Sequence, residues 1–174
     1  MDITISKATP ADAQGIQEML YETWVNTYPN PEHGITLEDI EYRHRNMRSP
    51  EAIEKQRKFL EEDKDTELSL VAKDGEKVVG VCYLVKEDTK NQLQAIYVLP
   101  NYQRRGIGQK FWNETKKFFD NGKDIYVEVV SYNEKAVKFY ESLGFKDTGR
   151  RFEDERFRMR SGSILPEMEL VLKA

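Results

Sequence analysis

The stretch that decides the fold is Leu93-Gln94-Ala95-Ile96-Tyr97-Val98, followed four residues later by Gln103-Arg104-Arg105-Gly106-Ile107-Gly108. The first part is an apolar run typical of a strand, and the second is a basic glycine turn that opens a helical pattern. The two glycines have no Cβ, so the backbone can approach a ligand and the first N–H groups of the helix point outward. Such a terminus attracts phosphates, and the two arginines add fixed positive charge. The segment therefore predicts a site for a phosphorylated cofactor.

Two common phosphate-binding motifs do not fit this segment. A dinucleotide fingerprint needs a third glycine where this chain has Phe111. A P-loop needs Gly-Lys-Ser/Thr after four spacer residues, and no part of the chain matches that pattern. On these residues alone, the alternative is a basic turn that begins a surface helix without binding a ligand.

A second informative segment, Asn133-Glu134-Lys135-Ala136-Val137-Lys138-Phe139-Tyr140-Glu141-Ser142-Leu143-Gly144-Phe145, follows the apolar run Ile125–Val130. Asn133 occupies the position of a helix N-cap, and Gly144 that of the left-handed residue that ends a helix. Tyr140 falls on the apolar face of this helix. Periodicity alone predicts a half-buried core tyrosine there.

Together the two segments resemble the signatures of the GCN5-related N-acetyltransferase (GNAT) family. The first matches Gln/Arg-x-x-Gly-x-Gly/Ala, whose loop holds the pyrophosphate of acetyl-coenzyme A (acetyl-CoA) in that family. The second matches Asn-x-x-Ala-x-x-Phe-Tyr-x-x-x-Gly-Phe, in which the tyrosine hydroxyl lies near the cofactor sulfur. The resemblance is specific over residues 97–145 and topological from residue 3 to about residue 172.

The resemblance implies an α/β (α+β) fold with a mixed, mostly antiparallel sheet, one parallel βαβ unit and helices on both faces. We expect one N-acetyltransferase domain over residues 1–174. The predicted strands are 3–7, 68–73, 77–85, 93–98, 125–130, 145–151 and 164–172, with a type I′ turn at Asp74-Gly75 and a charged loop over 152–162. Helix starts are predicted at Thr9-Pro10-Ala11-Asp12, at Thr36 with Asp39, and at Ser49 with Pro50, the last helix running to about Glu62.

The same resemblance assigns the cofactor site. Its backbone and side-chain contacts to acetyl-CoA, the co-substrate, would come from Ile96, Tyr97, Val98, Gln103, Arg104, Arg105, Gly106, Ile107, Gly108, Gln109, Asn133 and Lys138. For Asn133 a purely structural role as a helix cap is an equal alternative. For Lys138 the alternative is a solvated lysine on a helix face.

The implied chemistry is direct attack of a neutral primary amine on the thioester in a ternary complex. Tyr140 would donate a proton or a hydrogen bond to the leaving sulfur. Many relatives deprotonate the amine with a glutamate on the strand before the glycine turn, but this chain carries Gln92 and Gln94 there. Glu128 on the neighbouring strand is the substitute candidate. The alternative is that no enzyme base exists.

The acceptor side is less specific. Trp24 and Tyr28 are the candidate substrate-binding residues, with His33 nearby, and a loop supplies Glu153, Asp154, Glu155 and Phe157 opposite them. Aromatic faces and carboxylates together suit an alkylammonium group. Alternatively, Trp24 is simple core and the acids pair with Arg156, Arg158 and Arg160. A small amine, a polyamine, a peptide N-terminus and a lysine side chain all remain open.

Composition limits the other possibilities. A net charge of −4 and a pI near 5.4 argue against general nucleic-acid binding, which needs a basic surface. No apolar run is long enough to cross a membrane and no signal peptide precedes the first strand, so we expect a cytoplasmic protein without a membrane partner. The lone cysteine, Cys82, is expected to be a buried core thiol. His33 and His44 are too dispersed to indicate a metal site.

Two further hypotheses come from other functional classes. One is a non-catalytic acyl-CoA-binding regulatory or interaction module of the same fold, which the missing glutamate would favour and Tyr140 disfavours. The other is a homo-oligomeric interaction protein, with a homodimer as one form, that uses the aromatic and charged C-terminal hairpin; this role is compatible with catalysis.

Overall fold

Seven strands and five α-helices make up residues 2–174, the part of the chain described by the computed structural model. In chain order they are β1 (Ile3–Lys7), α1 (Ala13–Thr27), α2 (Leu37–Met47), α3 (Pro50–Glu61), β2 (Glu67–Asp74), β3 (Lys77–Lys86), β4 (Asn91–Val98), α4 (Ile107–Phe118), β5 (Ile125–Val130), α5 (Glu134–Ser142), β6 (Lys146–Arg158) and β7 (Ile164–Leu172). Short 3₁₀ turns lie at Pro10–Asp12, Pro31–His33 and Pro100–Tyr102. The predicted order of elements is confirmed.

The helices α2 and α3 begin where their capping residues predict, whereas Thr9 is followed by the 3₁₀ turn Pro10–Asp12 and α1 begins after it, at Ala13. Thr36 and Asp39 form a capping box at the start of α2, in which the Thr36 hydroxyl oxygen accepts from the Asp39 amide at 3.0 Å. The Ser49 side chain accepts from the Ala52 amide at 3.2 Å and starts α3. Each cap satisfies an N–H group that the helix itself cannot pair.

The strands form one sheet in the order β1-β2-β3-β4-β5-β7-β6. Only β4 and β5 are parallel, joined by α4, and all other neighbours are antiparallel. The parallel pair is short, because it runs only from Asn91 opposite Ile125 to Leu93 opposite Val127. Gln94 has no partner on β3, where the register shifts by one residue. Beyond Leu93 and Val127, β4 and β5 no longer pair and the two strands separate. The candidate site lies in the gap between them.

Helices pack closely against both faces of the sheet, as the contacts of α1 and α4 with β3 show. A Cβ at Gly15 of α1 would lie 2.9 Å from Val78, and a Cβ at Gly80 of β3 would lie 3.0 Å from the ring of Phe111 on α4. These small residues let each helix approach the sheet closely. The main core fills both layers, and a smaller cluster lies under α1 and α2 and contains Trp24, Tyr28, Ile35, Ile40, Val130, Met159 and Leu165.

Two details of the predicted fold are wrong. Most of the charged segment 152–162 is not a loop, because β6 continues to Arg158, with Phe152 opposite Glu167 and Arg158 opposite Ile164. Pairing with β7 overrides the local charge pattern. The β2–β3 turn is not type I′, which needs positive φ at both central residues. Gly75 has φ 59°, whereas Glu76 does not have a positive φ.

The true loop between β6 and β7 spans only residues 159–163 and is tied to α2. The Asp39 carboxylate accepts from both the backbone amide and the hydroxyl of Ser161, at 2.9 and 2.8 Å. Elsewhere in the core, Cys82 is fully buried as expected, and burial raises the pKa of its thiol to about 12. Within residues 2–174, no helix combines the length and apolar character that crossing a bilayer requires.

Candidate active site

A cavity of about 1790 Å³ lies where β4 and β5 separate. Its walls come from α1 and α2 on one side and from the starts of α4 and α5 on the other. Among the predicted site residues, those lining it are Trp24, Tyr28, Ile96, Tyr97, Val98, Gln103, Arg104, Gly106, Ile107, Gly108, Gln109, Glu128, Asn133, Lys138 and Tyr140. The structure therefore brings nearly all of them to one place.

The N-terminus of α4 forms one end of the cavity. Gly106 is its N-cap with φ 79°, and no side chain caps the helix. As at every helix N-terminus, the amides of the first turn have no intrahelical partner, and residues 106–109 line this end of the cavity. Arg104 is exposed and has φ 60°, the only positive φ among the described non-glycine residues. This end has the charge and the amides that an anion needs.

Two residues of the glycine turn have structural roles that the sequence does not indicate. Gln103 donates from its side chain to the Val98 carbonyl at 3.1 Å, which closes the turn against β4. Arg105 stacks over the Tyr102 ring at 5.2 Å and is not among the cavity-lining residues. Arg105 is thus the one predicted site residue that does not line the cavity, and its contact with a cofactor stays a prediction.

Gly108 serves helix packing as well as the cavity. A Cβ there would lie 3.0 Å from two carbon atoms of the Phe139 ring on α5. The absence of a side chain therefore lets α4 pack against α5, and any substitution at this position would move that ring.

Tyr140 lies at the open edge of β4. It is 4% exposed, and its ring packs edge-on against Phe145 at 5.7 Å. Burial raises the pKa of its phenol far above 10, helped by Cys82 and Tyr97, while a hydrogen bond with the Ile96 backbone acts in the opposite direction. The phenol is thus protonated at neutral pH and can act as a proton donor.

The two predicted cofactor contacts at and on α5, its N-cap Asn133 and Lys138, already make contacts within that helix. The Asn133 side-chain oxygen accepts from the Ala136 amide at 3.3 Å, so it is a helix cap, and the residue also lines the cavity. Lys138 has a side chain that is 75% exposed and lies 3.7 Å from Glu134.

On the acceptor side, Arg43 lies between the aromatic rings of Trp24 and Phe157, which we call the aromatic box. The Arg43 guanidinium lies 5.4 Å from the Trp24 ring centre and 5.3 Å from that of Phe157. It donates to the Arg156 carbonyl at 2.9 Å and makes no ion pair among residues 2–174, and its Nε is buried without a partner. Trp24 packs edge-on against Tyr28 at 4.6 Å, and both belong to the smaller core cluster. The expected cation–π site for a substrate is therefore filled by Arg43.

The remaining acceptor candidates are also engaged or lie elsewhere. Asp154 accepts from Arg156 at 2.8 Å and Glu155 from Arg158 at 2.7 Å, so these acids pair among themselves. His33 stacks on Tyr132 at 4.8 Å and lines a separate, smaller pocket with Glu153. No group of three or more potential metal ligands occurs among residues 2–174.

Two glutamates reach the cavity from β5 and β7. Glu128, the candidate base, is 27% exposed and lies 3.6 Å from Arg150. Glu167, which sequence reasoning missed, is only 6% exposed and lines the same cavity. The only signal was that Glu167 is one of two glutamates, with Glu169, in the mostly apolar strand Ile164–Leu172.

Comparison with known proteins identifies the family. The model of the acetyltransferase (GNAT) domain matches residues 36–161. The chain belongs to the GNAT acetyltransferase family. The resemblance of its two motifs is thereby confirmed, as is the predicted enzyme class, an acyltransferase.

Individual relatives are more distant. N-alpha-acetyltransferase RimI of Mycobacterium tuberculosis is 38% identical over 60 residues, which is 34% of this chain and 37% of that protein. The chain spans 16% and 37% of the length of two curated relatives that it matches.

Solved structures confirm the GNAT fold. The PaiA N-acetyltransferase of Thermoplasma acidophilum, in complex with coenzyme A, superposes with a TM-score of 0.70 at 24% identity over 100% of both chains. The ribosomal-protein-S18-alanine N-acetyltransferase of Escherichia coli gives 0.64 at 19% identity over 99% of this chain and 94% of that one. At these identities the likeness concerns the fold alone.

Proposed function

We propose that this GNAT protein transfers the acetyl group of acetyl-CoA to a primary amine by direct attack in a ternary complex. The observation that carries the proposal is the continuous cavity along the open edge of β4. It joins the uncapped N-terminus of α4 to Tyr140 and to the carboxylates of β5 and β7. When bound, the cofactor would supply the activated acyl carbon.

The residues at the α4 end fit the phosphate portion of such a cofactor. The amides of residues 107–109 would hold the pyrophosphate, with Arg104 adding charge. The edge of β4 at Ile96, Tyr97 and Val98 fits the extended pantetheine arm, because these residues pair with β3 and not with β5. Backbone groups of a strand edge recognise an extended amide chain as they would another strand.

Tyr140 would hold the proton that the departing sulfur needs. Its phenol is neutral at physiological pH, so it can donate a proton or a hydrogen bond. Its burial against Phe145 would orient the hydroxyl and exclude water from the reacting centre.

Because Arg43 fills the aromatic box, the acceptor amine would approach the carboxylates of Glu128 and Glu167 instead. A small amine, a polyamine, a peptide N-terminus or a lysine side chain would each present the reacting nitrogen. The names of the RimI and PaiA relatives support N-acetylation as the reaction.

The test is thiol release from acetyl-CoA with spermidine, tyramine, an alanine-initiated tripeptide and an Nα-blocked lysine. We expect at least one amine to accelerate thiol release, and calorimetry to show coenzyme A binding. Coenzyme A binding without release for any amine would contradict the proposal and support the non-catalytic acyl-CoA-binding module instead.

A further inference from the structure

Among the buried carboxylates of residues 2–174, only Glu167 has a buried oxygen without a hydrogen-bond partner. Asp39 is 4% exposed, and its oxygens accept hydrogen bonds from the backbone and side chains of Thr36 and Ser161. Glu167 is 6% exposed, yet its Oε2 is buried without a hydrogen-bond partner. A buried oxygen without a partner is costly, so such groups in native proteins call for a functional explanation.

The position of Glu167 is set by strand register. It lies opposite Val130 on β5, just as Glu169 lies opposite Glu128. Because side chains alternate along a strand, all four lie on the same face of the sheet. Val130 belongs to the core cluster under α1 and α2, so this face is the acceptor side. It lies past Val127, the last residue of β5 that pairs with β4, where the strands have opened.

The two arginines that act on Glu167, Arg156 and Arg150, form their hydrogen bonds with other carboxylates. Desolvation raises its pKa to about 7, followed by repulsion from Glu128 on β5 and Asp154 on β6, against the opposing effect of Arg156 and Arg150. Both arginines are engaged elsewhere, Arg156 with Asp154 at 2.8 Å and Arg150 with Glu169 at 2.9 Å. Across the cavity the charge of Glu167 also acts on the phenol of Tyr97 on β4.

We propose that Glu167 binds the ammonium group of the acceptor and removes its proton before attack, an inference that rests on the proposed function. The ammonium would supply the missing hydrogen-bond donor and counter-charge. One N–H bond breaks, its electron pair becomes the lone pair of the amine, and the proton forms an O–H bond on the carboxylate. The proton passes to solvent before the next turnover. Glu128 is then a neighbour that raises the basicity of Glu167, not the base itself.

The main variant is Glu167→Gln, with Glu169→Gln as the matched control. Glu169 lies two residues along the same strand on the same face, but Arg150 already binds its carboxylate. For Glu167→Gln we expect unchanged coenzyme A affinity by calorimetry and a fall in kcat/KM of about 10²-fold, the usual contribution of a positioned base. The acidic limb of the pH profile, with its midpoint near neutrality, should disappear in Glu167→Gln and persist in Glu169→Gln.

Glu128→Gln separates the two candidate bases. Removing the neighbouring negative charge should move the acidic limb to lower pH without abolishing it. Loss of the limb in Glu128→Gln together with its retention in Glu167→Gln would overturn the inference.

The titration of Glu167 can also be measured directly, without turnover. Carboxyl NMR of protein labelled with ¹³C glutamate should show one resonance that titrates near pH 7 and is missing in Glu167→Gln. A Glu167 resonance that titrates near the ordinary value of glutamate would overturn the inference. Amine turnover with an unchanged limb in Glu167→Gln overturns this inference alone, whereas absence of turnover in the parent with every amine overturns the proposed function as well.

Discussion

The hydroxyl of Tyr140 is the single group on which the proposed proton donation depends. Tyr140→Phe keeps the ring between Phe139 and Phe145 and removes only that hydroxyl. We expect kcat to fall by about 10²-fold while coenzyme A affinity stays the same, because the proton donor acts only in the reaction. Steady-state kinetics and calorimetry measure the two effects. Tyr126→Phe is the control, since Tyr126 does not line the cavity. Equal turnover in Tyr140→Phe and the parent would make Tyr140 a core residue only.

We expect the positive charge of Arg43 to disfavour amines that carry a second ammonium group. Its guanidinium lies between Trp24 and Phe157, so Arg43→Met would keep apolar packing there and remove the cation. Coulomb repulsion between a nearby cation and a second ammonium is about 1 kcal/mol in a largely aqueous site. We therefore expect kcat/KM for spermidine to rise roughly fivefold relative to that for tyramine.

The control for this charge effect is Arg45→Met, because Arg45 is an exposed residue of α2 that does not line the cavity. An unchanged ratio of the two amines in Arg43→Met would show that the second ammonium does not approach this side of the cavity.

The contrast between Tyr140 and Glu167 shows which residues a sequence can reveal. Tyr140 lies in a motif of consecutive helical positions, so its place on one face follows from helical spacing. Glu167 owes its role to the register of β7 against β5, a partner strand about 40 residues earlier in the chain. Arg43 fills the aromatic box through contacts with Phe157, which lies in a distant strand. No local pattern contains that information.

At the scale of elements, the start of α4 can be tested without disturbing packing. A Cβ at Gly106 meets no atom within 4 Å, and its φ is +79°. Gly122 has the same open surroundings with φ +84°, so it is a matched control. Alanine at either position should cost about 1 kcal/mol in backbone strain.

Only the Gly106→Ala change would alter the N-terminus that we assign to phosphate binding. We expect similar losses in Tm for both alanine variants, but a roughly tenfold weaker Kd for coenzyme A in Gly106→Ala alone, because misaligned helix amides lose charge-assisted hydrogen bonds. Thermal unfolding and calorimetry measure these two quantities. Equal coenzyme A affinity in both variants would place the pyrophosphate elsewhere. Gly108 is unsuitable for this test because its substitution displaces Phe139.

The elements also show where prediction from local sequence fails. Helix starts follow from capping residues within four positions, and α2 begins where Thr36 and Asp39 predict. The length of β6 does not follow from local sequence, because its charged half is a strand only through pairing with β7. The β2–β3 turn differs for a similar reason, since its two central positions are Gly75 and Glu76 once Asp74 pairs with Lys77.

For the whole molecule, two buried titratable groups on the acceptor side affect stability in opposite directions. Burial and the charges of Arg43 and Arg48 lower the pKa of His44 to about 4, so the unfolded chain holds an extra proton between pH 4 and 6.5. The free energy of unfolding from this group falls as pH drops through that window. Glu167 has its pKa raised from 4.5 to about 7, so the folded protein holds the extra proton. Its contribution falls as pH rises through that window. Each effect is at most about 3 kcal/mol.

Because the two windows overlap from about pH 4.5 to 6.5, the two contributions should largely cancel in the parent. Urea unfolding at pH 4.5, 5.5 and 6.5 should therefore give a nearly constant free energy for the parent protein. In Glu167→Gln only the histidine effect remains, and stability should rise with pH; in His44→Phe only the carboxylate effect remains, and stability should fall with pH. The double variant should again be nearly flat, which controls for independent packing effects. Slopes of the same sign in the two single variants would show that one of these groups titrates near its ordinary value in the folded protein.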